Sequence, residues 1–271
     1  MIRGIDHLVI AVADPDAAAA ELEAAVGLRA AGGGRHESMG TYNRLIWLGD
    51  AYVELIGVFD AALAEASWVG RPTLRALGQG GGLATYALAS DDLSADVARL
   101  RAAGSRLEGP FPGERIRPDG RVVRWLLAAP PTLGPTEPAF LIEHDGAAAE
   151  WSEAERVARA GEHHPVGGPV RLERLEIPVP AVHPAVMAQL RTLGLQFRPS
   201  LAGRGARDTS IGGQILRLRP GGPPDAVPAV HLRVLAAADP ARVAAVPDPA
   251  SGTTAAREPI EALGCRWMIS R

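Results

Sequence analysis

The sequence predicts an α+β fold made of repeated βαβββ modules, a mixed sheet with its helices outside. Three observations predict it. An apolar strand pattern runs directly into a helix pattern at residues 5–28, IDHLVIAVADPDAAAAELEAAVGL. Two more strand patterns follow at 41–48 and 51–58, with only Gly49-Asp50 between them. The order strand, helix, strand, strand then recurs over 82–145 and, more weakly, over 171–236.

The first run, IDHLVIAVA, is apolar on both faces apart from Asp6 and His7, which predicts a strand covered on both sides. Asp14 followed by Pro15 is an N-cap and then a proline at the first helical position. The helix runs through Ala17, Leu22 and Val26 to Gly27, a C-cap. Gly49-Asp50 predicts a two-residue hairpin turn, and that turn sets a register. Leu48 faces Ala51, Trp47 faces Tyr52, and Leu45 faces Glu54. By alternation Asn43, Leu45, Trp47, Tyr52, Glu54 and Ile56 share one face, so a carboxylate stands among aromatic and aliphatic side chains. On the first strand Ile5, His7, Val9 and Ala11 share a face, and Leu8, Ile10 and Val12 suit the helix side.

The second copy opens with GLATYALASDDLSADVARLRAAGSRL (82–107), a strand, a turn and an amphipathic helix ending at Gly104. RVVRWLLAA (121–129) and PAFLIEHD (138–145) supply its later strands. Aligning VADPD with ASDDL puts Ala84 where the first copy has His7, and the last strands put Glu143 near the place of Glu54. The weaker third copy has strand and helix at 171–195 and strands at 209–220 and 228–236, with Arg174 at the place of His7. The expected organisation is one domain over 1–146, built from modules 1–60 and 80–146. A linker over 147–169 holds the short helix pattern EWSEAERVARAGEHH, and 170–271 is a degenerate module. Pro-rich 220–228 and 246–250 predict loops, and the tail to Arg271 predicts a short helix and a strand.

Bulk properties narrow the partners. A net charge of −3 gives no basic surface for nucleic acid or anionic membranes. No apolar run approaches the ~20 residues that span a bilayer. The chain starts on a strand pattern with no signal peptide, and the one cysteine, Cys265, excludes an internal disulfide, so a cytoplasmic protein is expected.

These motifs together resemble the vicinal oxygen chelate superfamily, which includes glyoxalase I, fosfomycin- and bleomycin-resistance proteins and extradiol dioxygenases. Within it the chain is most similar to bacterial glyoxalase-like domain proteins. DHLVIAV (6–12), GGRHESMGTYNRLIWLGDAYVELIGV (33–58) and RIRPDGRVVRW (115–125) carry the resemblance, which covers about residues 1–146. It implies that two modules pair to close a cup-shaped sheet with the site inside. Modules pair within or between chains, so a homodimer is one expectation. Four ligand places come from the first and last strands of two modules, here His7, Glu54, Ala84 and Glu143. Three of these suit a divalent ion such as Zn, Fe, Mn or Ni, and Ala84 cannot bind one.

Read residue by residue, His7 is a ligand or a hydrogen-bonded core histidine, and Glu54 a site residue or a buried partner of Arg44 or Arg124. Glu143 is a site residue or a solvated strand end, and Glu54 and Glu143 are the candidate catalytic carboxylates. His36, Asn43, Trp47, Tyr52 and Trp125 are candidate substrate contacts, the first two by the resemblance and the aromatics as pocket walls or core. Arg115, Arg117 and Asp119 are candidates for binding an anionic substrate, but a strand-edge turn at Pro118-Asp119-Gly120 explains them more simply. Two functions compete for the cup, and a structural or interaction role is a third reading for the C-terminal half, which lacks ligands. One is a metal-dependent enzyme of isomerase, lyase or dioxygenase type acting on a small oxygen-rich substrate. The other is a metal-free cup that binds or sequesters a small molecule, which the loss of a ligand at Ala84 favours.

Overall fold

The computed structural model describes residues 1–147, 150–179, 184–203, 205–221, 226–235 and 258–271. Strand β1 (Ile2–Ala11), helix α1 (Pro15–Val26) and strands β2 (Gly33–His36), β3 (Thr41–Leu48) and β4 (Ala51–Val58) form the first unit. The Asp14 carboxylate accepts from the Asp16 and Ala17 amides, and Gly27 closes α1 at φ +78°. This is how an N-cap and a left-handed C-cap satisfy the free ends of a helix. Two short helices, α2 (Ala61–Ala66) and α3 (Gly70–Leu77), lead to the second unit. It consists of β5 (Gly82–Ser90), α4 (Leu93–Ala102), β6 (Glu108–Ile116), β7 (Val122–Ala129) and β8 (Phe140–His144).

These strands close a barrel in the order β1-β4-β3-β2-β6-β7-β8-β5. β1 runs antiparallel to β5 on one side, and on the other the barrel closes through a single pairing, Arg35 with Ile116. The β3–β4 register is the one the two-residue turn predicts: Leu48 with Ala51, Trp47 with Tyr52, Leu45 with Glu54. β2 and β6 are strands that the sequence pattern does not announce, because β2 is glycine-rich and β6 carries Pro110 and Pro112.

Helix α5 (Glu153–Ala160) precedes a second, open sheet. Its elements are β9 (Val170–Val179), α6 (Pro184–Arg191), β10 (Arg198–Pro199), β11 (Arg207–Ile211), β12 (Gln214–Pro220), β13 (Ala229–Val234), β14 (Ile260–Ala262) and β15 (Cys265–Ser270). The strand order is β10-β11-β12-β9-β13-β15-β14. Here the structure differs from the reading of 228–236 as the last strand of a third unit. β13 lies antiparallel to β9 and parallel to β15, as β5 lies antiparallel to β1 and parallel to β8. It therefore opens a fourth unit. An apolar run reads alike as a first or last strand, and only its pairing partner decides. Residues 260–262 are strand where the tail suggests a helix, and the loop expected at 246–250 lies outside the described residues. No helix among the described residues is long and apolar enough to cross a membrane.

Two apolar clusters hold this arrangement. The larger joins Leu8, Ile10 and Leu22 to Leu172, Leu175 and Trp267, so the second sheet and the helices cover the outer face of the barrel. The smaller fills the barrel floor with Val9, Ala11, Ile56, Ala84, Ala87 and Phe140, leaving the polar residues of the barrel interior beyond it. Gln214 clamps the halves together: its carbonyl accepts from Ile5 N at 2.5 Å and its amide donates to Ile5 O at 3.3 Å.

Gly33 has φ +138°, and a Cβ there would lie 2.2 Å from Asn43 O. Gly33→Ala should therefore cost about 2 kcal/mol or more, read by urea denaturation. Unchanged stability would show that β2 has room to shift.

Candidate functional site

The odd residues of β1 become intelligible through a bulge. Ile5 pairs with Leu88 and His7 with Ala87, so Asp6 is an extra residue on β1. A bulge lets neighbouring side chains depart from strict alternation. Asp6 and His7 meet side to side, with His7 Nδ1 at 2.6 Å from Asp6 Oδ1. The imidazole stacks on Tyr52, with centroids 4.5 Å apart and planes 17° from parallel, and meets the edge of Phe140 at 5.3 Å.

Across the interior stands Glu54. Its Oε2 is 3.6 Å from His7 Nε2, and its Oε1 accepts from Asn43 Nδ2 at 2.6 Å. His36 Nε2 approaches the same Oε1 at 4.0 Å, while its Nδ1 contacts Thr41 Oγ1 at 2.9 Å. His7, His36, Asn43 and Glu54 are all buried. They line one cavity together with Tyr52, Trp125, Trp68, Arg115, His144 and Trp151, among others.

Glu143 does not join them, which corrects its assignment as metal ligand and catalytic carboxylate. Its Oε2 accepts from Leu93 N at 2.6 Å, at the start of α4 on the outer side of the barrel. One residue on, His144 faces inward. Its Nε2 lies 3.0 and 3.1 Å from the Asp6 oxygens, and its ring stacks on Trp151 at 3.5 Å. A one-residue offset on a strand exchanges faces, and that offset separates the two. Trp47 likewise does not line the cavity. It packs behind Tyr52 at 5.2 Å and donates from Nε1 to Ala31 O at 3.0 Å.

The stretch expected to be a linker contributes to the site. Glu150 accepts from Arg115 Nη2 at 2.5 Å and pairs with Arg117 at 3.2 Å, and Arg115 Nη1 donates to Gly33 O. Trp151 lies against Trp47, Tyr52 and His144. Arg159 of α5 stacks on both Trp47 and Trp151. Asp6, His144, Glu150, Trp151, Trp68 and Phe140 are site residues that the sequence reading does not single out. For Asp6 the signal was its place beside His7. For Trp151 it was a large aromatic in a polar stretch.

Burial alone would raise the Asp6 carboxyl, but His144 and His7 outweigh it and hold Asp6 ionised, well below the usual carboxylate range. Burial pushes the His36 imidazole from 6.5 down to about 4. The unfolded chain then binds more protons than the folded one between those pH values. Stability should be intact above pH 6.5 and fall as the pH drops towards 4, by on the order of 3 kcal/mol from this residue. Urea denaturation at several pH values checks this, and His36→Asn should flatten that part of the slope. An equal slope in the variant would count against it.

The donor set can be tested against the metal that the superfamily pattern implies. His7 and Glu54 face each other, Ala84 supplies no donor, and His144 Nε2 is engaged by Asp6. Among the described residues no group of three His, Cys, Asp or Glu side chains is arranged to hold an ion. The residues present fall short of the three protein ligands of a catalytic site. The second sheet has its own half-buried ion network at the equivalent place. Glu176 pairs with Arg174, Arg217 and His231, and although burial opposes it, these partners bring its carboxyl down to about 2.

A hypothetical protein from Staphylococcus aureus has the same fold at 14% identity, with 98% of each chain covered and a TM-score of 0.72. A Streptomyces coelicolor methylmalonyl-CoA epimerase variant in complex with 2-nitronate-propionyl-CoA is 24% identical. It covers 53% of this chain and 98% of its own, with a TM-score of 0.40. The Mycobacterium tuberculosis methylmalonyl-CoA epimerase is 21% identical over 53% of this chain and 87% of its own, with a TM-score of 0.38. No curated protein matches significantly. The glyoxalase-like domain family matches residues 5–194, which takes in the barrel but for the first residues of β1, the segment carrying Glu150 and Trp151, and the start of the second sheet. With that match over most of its length, the chain belongs to the glyoxalase-like domain family.

Proposed function

We propose that the cup binds a small organic molecule and moves a proton on it, an isomerase- or lyase-type reaction with Glu54 as the base. One observation carries this reading: a buried carboxylate between two imidazoles, His7 Nε2 at 3.6 Å and His36 Nε2 at 4.0 Å. Asn43 fixes Oε1, which leaves Oε2 to take a proton from a ligand in the cavity. Asp6 accepts from His7 Nδ1–H, so His7 turns Nε2 towards Glu54 and can receive that proton. The imidazolium then sits between the Asp6 and Glu54 carboxylates. When Thr41 donates to His36 Nδ1, His36 presents Nε2–H to an oxyanion developing on the ligand.

Solvent-exchange NMR tests the reading. Carbonyl compounds with an acidic C–H are incubated with the protein in D₂O, and deuterium should enter at the carbon next to the carbonyl. No incorporation across the panel would overturn it.

A second reading has one observation in its favour. His7 Nε2 faces an acceptor-only carboxylate, a pair that could supply two of the three protein ligands a catalytic ion needs. Elemental analysis of the purified protein separates the readings. Metal well below one ion per chain supports the first. A stoichiometric ion lost in His7→Ala supports the second.

A further inference from the structure

The groups that line the cavity are mainly hydrogen-bond acceptors. Asn43 donates its amide N–H to Glu54, so its Oδ1 points elsewhere, and that buried atom has no partner among the described residues. His144 directs Nε2 at the Asp6 carboxylate, which can only accept, so Nε2 carries a proton, and in the neutral imidazole Nδ1 is then an acceptor. It too is buried and has no partner among the described residues. Glu54 Oε2 has only the 3.6 Å approach of His7. Each of these groups is left costly by burial unless a donor arrives.

The charges point the same way. Arg115 is the buried cation of the cavity wall, and it is directed at Gly33 O and Glu150. Asp6 is held by two histidines. Among the described residues no arginine pairs with Glu54. A carboxylate or phosphate ligand would meet Glu54 with no uncommitted guanidinium to balance it. A cation would meet a carboxylate, free acceptors and the ring faces or edges of Tyr52, Trp68, Trp125, Phe140 and Trp151. Aromatic faces attract cations, most strongly where water is excluded.

We propose that the cavity selects a protonated amine, its ammonium seated on Glu54 and Asn43 and its apolar body held by the aromatic wall. This rests on the cup being a small-molecule site and deepens it by naming the ligand class. It does not require Glu54 to act as a base.

A matched indole series tests it by calorimetry on the full chain at pH 7.5: tryptamine, tryptophol and indole-3-acetate. Tryptamine should bind at least tenfold more tightly than tryptophol, and indole-3-acetate should show no binding. In Glu54→Gln, which keeps the side-chain shape, the amine should lose most of its advantage while tryptophol holds its affinity. Equal binding of the three, or preference for the acid, would overturn the proposal. So would Zn²⁺ or Mn²⁺ binding stoichiometrically and excluding tryptamine, because the acceptors would then serve a metal. Amine binding without deuterium incorporation would leave the ligand class standing and remove the proton-transfer reading. Deuterium incorporation with no amine preference would do the reverse.

Discussion

Glu54→Gln is expected to lower the rate of deuterium incorporation by about 10²–10⁴-fold, the usual contribution of a positioned general base. The substitution is nearly isosteric. The Gln carbonyl can still accept from Asn43, so the fold should hold, and affinity for an uncharged ligand should stay within a few fold. The loss should appear in kcat rather than in KM, because the interaction removed belongs to proton transfer. His7→Gln should reduce the rate less, since it removes the proton acceptor behind the base and not the base. A Glu54→Gln variant that exchanges protons at the wild-type rate would sink the assignment.

Asp6→Ala is expected to be the most destabilising change in the site, by roughly 3–5 kcal/mol, the cost of removing one partner from a buried charged cluster. Asp6 is 2% exposed and accepts from both His7 Nδ1 and His144 Nε2. Without it two buried imidazole donors are left unpaired. For a chain of this size the melting temperature should fall by about 6–20 °C. The pH dependence has a definite sign. The folded Asp6 carboxyl titrates below its unfolded value, so its contribution is present above the unfolded value near 3.9 and is lost as the pH falls below it. The variant should therefore lie well below wild type at pH 7 and approach it in strong acid. A constant gap across that range would mean that the loss is one of packing rather than charge.

Much of the barrel was legible in the chain. Asp14-Pro15 and Gly27 bound a helix by local chemistry, and a two-residue loop at Gly49-Asp50 leaves one register for the hairpin. Such signals act between near neighbours, and so the face shared by Asn43, Tyr52 and Glu54 could be read directly. The repeat of element order carried the fold class for the same reason.

What tertiary structure decided involves contacts between residues far apart in the chain. The bulge at Asp6 arises from how β1 pairs with β5, and it brings a carboxylate to His144, 138 residues away. Whether Glu143 or His144 faced inward depended on a one-residue register in β8, which no local turn specified. The segment around Glu150 and Trp151 reads as polar linker because its partners, Arg115 and His144, belong to other strands. The sequence by itself determined the hairpin face on which Glu54 stands with Asn43 and Tyr52, and the family resemblance supplied the cup. Only the closed barrel decided which side chains complete that site, because a cavity is defined by the residues that meet across it and not by those that precede one another along the chain.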